Sequence, residues 1–259
     1  MKTIFALAGV VIKELYRRKD FYVLFILTVV ICVIMASLNI FNDNQIIRYV
    51  KELCLLLIWV SSLVIAITTT ARQIPAEREQ RTLLPLLAKP LTRSQLIFGK
   101  FLGCWLACGL VLFCFYAFFG ALAASREHAW PLLSYFQAAF LHWMTLGVVI
   151  AMTLLGSLVF AAPSSNSTIC FVFVATILCV GRYLDAVALS LREPLRSVIY
   201  SVYYAVPHLE ISFGMRNLIV HDWPLIAWKF IGLDAIYSLA YTGIFLVAAC
   251  LVFRRKAVN

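Results

Sequence analysis

Apolar residues in this chain come in long blocks, at 21–41, 50–71, 95–123, 132–161, 166–190 and 229–253. Each block reaches the roughly 20 residues that an α-helix, rising 1.5 Å per residue, needs to cross about 30 Å of hydrocarbon. Lipid offers the backbone no hydrogen-bond partners, so blocks of this kind must satisfy their own N–H and C=O groups as helices. Composition agrees: 63% of residues are hydrophobic and 13% charged, where a soluble domain carries about 25% charged residues to cover its surface. The pattern predicts an all-α integral membrane protein with six transmembrane helices in one domain, 1–259.

The first twenty residues are predicted to be a helix of a different kind. The apolar run from Ile4 to Ile12 is short and leads into Lys13, Arg17, Arg18 and Lys19 rather than into a small-residue cleavage site, so it does not read as a signal peptide. Ile4, Phe5, Ala8, Val11, Ile12 and Leu15 fall on one helical face with Lys13 and Arg17 elsewhere. An amphipathic helix over 1–20, lying in the membrane interface against anionic lipid headgroups, is expected.

Charge sets the orientation, because Lys and Arg accumulate in cytoplasmic loops. With both termini cytoplasmic, fourteen of the 22 basic residues and four of the 12 acidic ones lie inside. The outer side then holds eight of each, and the whole net charge of +10 falls on one face. The count predicts a chain that crosses its membrane several times with both termini cytoplasmic. The basic residues are spread over three membrane-proximal strips with no reader motif, which argues against a nucleic-acid partner.

This orientation puts 72–94 in the cytoplasm, and the densest charge of the chain lies there in the stretch EREQRTLLPLLAKPLTR, residues 77–93. Glu77 to Leu87 is helix-prone and holds a leucine cluster at Leu83, Leu84, Leu86 and Leu87. Pro85 bends or ends that helix, Pro90 pushes Lys89 toward extended backbone, and Thr92 is placed to cap the helix starting near Arg93. The product is a charged and apolar knob projecting into the cytoplasm, or a solvated loop whose leucines rest on headgroups. The spacing Glu77, Glu79, Thr82-Leu83, Leu86-Leu87, Lys89-Pro90, Arg93 and Gly99-Lys100 resembles that of ABC-2 type transporter permeases, and most closely the group of the nitrous-oxide-reductase maturation transporter. The six-span plan with its N-terminal helix is similar, as is Val206-Pro207-His208-Leu209-Glu210 to a Pro-x-Leu-Glu segment of that group.

The resemblance implies that the segment between the second and third spans is a coupling helix that docks on a cytoplasmic ATPase through Glu77, Arg78, Glu79, Arg81, Thr82, Leu83, Leu86 and Leu87. An apolar anchor with a charged rim suits a transient interface. No Gly-x-x-x-x-Gly-Lys-Ser/Thr occurs, and Gly99-Lys100 runs into Phe101, so ATP and Mg belong to a separate partner chain. The chain itself is expected to bind no cofactor and to be no enzyme. The resemblance further implies a second permease copy, as homodimer or close heterodimer, export as the direction of transport, and re-entrant helices over 191–228 that wall an outer gate. The apolar pieces 195–206 and 211–220, each shorter than a span and interrupted by Pro194, Pro207, Gly214 and Pro224, agree with helices entering one leaflet.

Other features admit two readings. Gly99, Gly103 and Ala107 form a smooth stripe that allows close helix packing, within the chain or at a dimer seam. Arg182 and Asp185 lie three apart near the outer end of the fifth span, as an ion pair or, with Pro207 and Glu210, as lining of the outer gate. Lys100 is expected to snorkel to headgroups, and Asp234 to pair with Lys229 at the interface. The eight cysteines all sit in apolar segments and read as small hydrophobes. His208, Glu210, Met215 and His221 match no metal-ligand spacing, so no metal site is expected. The rival classes are a membrane enzyme using Glu77, Glu79 and His142, disfavoured because the glutamates and the histidine fall at different depths, and a membrane sensor or scaffold.

Overall fold

A computed structural model describes residues 2–16, 19–37, 44–79, 92–127, 132–190, 193–209, 217–221 and 223–255. Among them all regular structure is helical. The helices are α1 (Lys2–Tyr16), α2 (Lys19–Ser37), α3 (Asn44–Ala71), α4 (Pro75–Glu79), α5 (Arg93–Glu127), α6 (Leu132–Val159), α7 (Pro163–Ser190), α8 (Leu195–Ala205), α9 (Asn217–Val220) and α10 (Trp228–Arg255). Four stretches are long and apolar enough to cross a membrane: Arg48–Glu79, Arg93–Ser125, Leu132–Val159 and Trp228–Arg255. The other two expected spans fall on α2 and α7, the latter apolar over Pro163–Cys179.

The bundle is built around α6, whose residues 144–151 are all buried. Against it lie α3, α5, α7 and α10. The α10 contact is a single stripe, Ile231, Ser238, Thr242, Leu246, Ala249 and Phe253, with Ile236, Leu239, Ile244, Val247 and Leu251 exposed on the opposite side. Lipid is as apolar as leucine, so helices in it are held by close fit and hydrogen bonds, which small and hydroxyl residues provide.

The joint between α5 and α6 has its own lock. Trp105 and Trp143 stack at 4.5 Å with 14° between their planes. Each indole N–H donates to the other residue's backbone carbonyl, at 3.0 Å in both directions. Each ring also covers the glycine four residues beyond its partner, Trp143 over Gly109 and Trp105 over Gly147. On antiparallel helices the repeated Trp-x-x-x-Gly spacing makes the two halves match. At the α6–α7 joint, Asn166 donates from Nδ2 to Thr153 O at 3.0 Å and lies against Gly156.

The N-terminal helix buries Ala8, Val11 and Leu15 of its expected apolar face and leaves Phe5 exposed. Those three residues pack on α5, where a Cβ added at Gly103 would lie 2.6 Å from Val11 Cβ and 3.0 Å from Ala8 O. The apolar face of α1, expected to lie in the membrane interface, therefore rests in part on protein, because Gly103 opens a groove for it.

Candidate functional site

The segment read as the docking element begins where α3 ends. Gln73 N donates to Thr70 O at 3.1 Å, Ala76 N to Arg72 O at 3.0 Å and Arg78 N to Ile74 O at 3.1 Å, so the chain folds straight into α4 without breaking its hydrogen bonding. Gln73, Ile74 and Pro75 are buried beneath this turn.

Lys100, about two turns into α5, points at the turn. Its Nζ lies 2.8 Å from Glu77 Oε1 and donates to Gln73 O at 3.0 Å and to Gln73 Oε1 at 3.2 Å. An ammonium has three donors, and all three are used. The expectation that Lys100 snorkels to headgroups is therefore wrong: its side chain is 4% exposed against 21% for Glu77. Its stem is too well matched by acceptors on the neighbouring turn to reach for water. Glu77 is turned inward by the same contact, while Arg78 is half-buried and Glu79 exposed. Arg81, Thr82, Leu83, Leu86 and Leu87 lie outside the described residues, as does Pro85.

Beyond that stretch the chain is held again. Thr92 and Gln95 cap α5 reciprocally, Gln95 N donating to Thr92 Oγ1 at 3.2 Å and Thr92 N to Gln95 Oε1 at 3.0 Å, a capping box on the residue expected to be the cap. Arg93 reaches across to the last helix. Its Nη1 donates to Phe253 O at 2.8 Å and to Arg254 O at 3.2 Å, and its guanidinium sits 5.5 Å from the centre of the Phe253 ring. The last carbonyls of a helix lack intrahelical donors and carry the negative end of its dipole, so an arginine is a matched partner for them. Between the α3–α4 turn and the start of α7 lies a cleft of about 450 Å³ lined by Thr68, Arg72, Ala76, Glu79, Pro163, Ser164 and Ser167.

Of the small-residue stripe, Gly99 is buried, Gly103 meets α1 and Ala107 is half-buried. At the other end of the bundle, Pro207 and Leu209 are buried. His208 N donates to Tyr237 Oη at 3.0 Å, and the His208 ring stacks between Tyr203 and Tyr237. Gln137, 1% exposed, clasps the backbone before α10, donating to Ile226 O at 3.1 Å and accepting from Ile226 N at 3.2 Å. Arg182 and Asp185 are on α7 with their side chains outside the described residues, and Glu210 lies outside them altogether. The expected Lys229–Asp234 pair does not form: Lys229 is exposed, and Asp234 Oδ2 is buried with no hydrogen-bond partner among the described residues. Five residues apart on a helix, the two point to different faces.

His142 is 2% exposed, between α3 and α5. Ser62 Oγ donates to Trp59 O at 2.8 Å, which uses its only proton. The 3.0 Å contact between Ser62 Oγ and His142 Nε2 is then an N–H donated by histidine, and the 3.3 Å contact between Tyr116 Oη and His142 Nδ1 an O–H donated by tyrosine. Each donor in this chain is used once with the imidazole neutral. The partners of His142 are Ser62 and Tyr116, so the constellation with Glu77 and Glu79 is not assembled. Gln137, Ser62 and the paired Trp-x-x-x-Gly spacings were all passed over in the sequence, although the last is a visible repeat.

A helical bundle with four stretches long and apolar enough to cross a membrane, joined by a few buried polar contacts, has the build of a multi-span membrane protein. Residues 10–196 match the family described as ABC-2 family transporter protein, and the chain belongs to that family. It is thus a membrane-spanning permease component, of a kind that has no nucleotide site of its own. No curated protein matches the sequence.

Proposed function

We propose that this chain is the transmembrane subunit of an ABC exporter in a bacterial inner membrane, with six spans formed by α2, α3, α5, α6, α7 and α10 and both termini in the cytoplasm. The segment 77–87 is its coupling element, docking on a separate ATPase that binds ATP and Mg. Leu83, Leu86 and Leu87 supply the apolar anchor, and Arg78, Glu79, Arg81 and Thr82 the orienting rim. Two permease copies pair to form the path, and 191–228, with Pro207, Glu210, Arg182 and Asp185, forms the outer gate. Within the family we place the chain nearest the nitrous-oxide-reductase maturation group, on the spacing of residues 77–100.

The observation that carries this reading is the anchoring of the charged segment at both of its ends: by Lys100 on Glu77 and Gln73 before it, and by Arg93 on the α10 carbonyls after it. An element that takes up force needs a stiff mounting; a spacer loop needs none. The topology is supported by the same contacts, since the start of the third span meets the end of the sixth, and by the cleft in which the end of the second meets the start of the fifth.

The test is to express the chain with an ATPase encoded beside it and ask whether the two co-purify. Charge reversal at Glu79 and Arg81, or Leu83→Asp, is expected to abolish the association and the stimulated hydrolysis. If both persist in all three variants, docking through 77–87 is wrong. Single cysteines at Asn44, His128 and Asp222 should react with an impermeant reagent from outside, and protection at all three would overturn the topology.

A further inference from the structure

We propose that Glu77, Lys100 and Arg93 are positioning residues that fasten the third and sixth spans to the coupling element at their cytoplasmic ends, so that a displacement of residues 80–91 moves α3, α5 and α10 as one body. The proposal deepens the docking reading above and rests on it. By chain connectivity alone, a push on 80–91 would act on the end of α3 and the start of α5, and nothing would carry it to α10, which begins at Trp228, more than 130 residues further on.

Two closures change this. The Lys100 network joins α4 to α5 across 23 residues of chain, with every ammonium donor satisfied and the amine sealed from water. A buried cation with three acceptors does not slide, because each intermediate position leaves a donor unmet in a dry site. The Arg93 contact joins α5 to α10 across 160 residues, on the Phe253 and Arg254 carbonyls in the last described turn of α10. Since α10 is a continuous helix, movement at Phe253 appears at Tyr237 about 24 Å away. Tyr237 holds the backbone of His208 in the outer segment. Packed elements move as bodies in this way, and the fastening points decide which elements belong to which body.

The experiment uses the complex of the full chain with its ATPase in nanodiscs, with MgATP as the probe. Association is measured by co-elution and titration, and turnover as hydrolysis relative to the ATPase alone. Lys100→Met and Arg93→Met are expected to bind the ATPase within about twofold of wild type while the stimulated rate falls at least about fivefold. Lys100→Arg keeps the positive charge and its N–H donors against Glu77 and Gln73 and is expected to turn over within about twofold of wild type. Gly243→Ala, in open space on α10, serves as a control with the wild-type rate. The proposal is overturned if both methionine variants turn over as wild type does. It is equally overturned if association and rate fall together in them and Lys100→Arg falls with them, since the residues would then merely support the fold or the docking surface. A wild-type chain that binds no ATPase overturns the docking reading itself.

Discussion

Replacing Gly109 by alanine probes the Trp105–Trp143 lock directly. An added Cβ would lie 2.8 Å from both Cδ1 and Cε2 of Trp143 and closer still to Nε1, so the indole has to move by about an ångström to reach ordinary contact. It is not free to do so, being stacked on Trp105 and bonded through Nε1 to Trp105 O at 3.0 Å. Losing that bond costs about 1 kcal/mol and overpacking the joint about 1–3 kcal/mol. Alanine's helix propensity returns about 1 kcal/mol, which leaves a net loss of about 1–3 kcal/mol. Gly147→Ala, whose Cβ would lie 3.0 Å from Trp105 Nε1, should be close to neutral, and Gly243→Ala, with nothing within 4 Å, neutral or stabilising. Thermal unfolding in detergent with a thiol-reactive dye reads this series, because Cys32, Cys54, Cys104, Cys108 and Cys170 are buried until the bundle opens. At about 3 °C per kcal/mol for a chain of this size, Gly109→Ala should melt about 3–9 °C below wild type. In a Trp143→Leu background that cost should disappear. A Gly109→Ala protein as stable as Gly243→Ala, or strict additivity with Trp143→Leu, would refute the lock.

Gly103→Leu should displace α1, since one of the atoms its Cβ would meet is the backbone oxygen of Ala8, which cannot turn aside; a cysteine placed at Ala8 should then label at least about tenfold faster, and an unchanged rate would mean that α1 does not depend on this groove. Gln137→Leu removes both bonds to Ile226 and leaves that residue's N–H and C=O unmatched, at about 1–3 kcal/mol. Hydrogen exchange at the Ile226 amide should accelerate about tenfold or more, and equal protection in the variant would assign the hold on this segment to other contacts.

The sequence announced what depends on local pattern and concealed what depends on pairing. Apolar blocks longer than a bilayer crossing and the Thr92 cap are local, and the helices and the capping box follow them. Gly103 was readable as a place of close approach, yet a small side chain does not say which helix approaches, and α1 is 87 or more residues away in the chain. Lys100 shows the same limit more sharply. Alone at the end of a hydrophobic helix, a lysine is expected to reach for water; three acceptors supplied by a turn 23 to 27 residues earlier reverse that. Lys229 and Asp234 mislead the opposite way, being close in sequence but on different faces of α10.

Where charge sits in this bundle follows from how tightly each joint must hold. Deep between α3, α5 and α6 the polar groups form a neutral series, Tyr116 to His142 to Ser62 to the Trp59 carbonyl, in which every donor has one acceptor. A charge placed there would require a buried counter-charge with full hydrogen bonding, and the series holds three helices without one. At the end of the bundle that carries α4 the joints are charged instead: Glu77 and Lys100 pair at 2.8 Å, with side chains 21% and 4% exposed. The Lys100 and Arg93 contacts thus tie the chain on either side of the charged segment to the bundle with charge, and the neutral interior joins its helices without it.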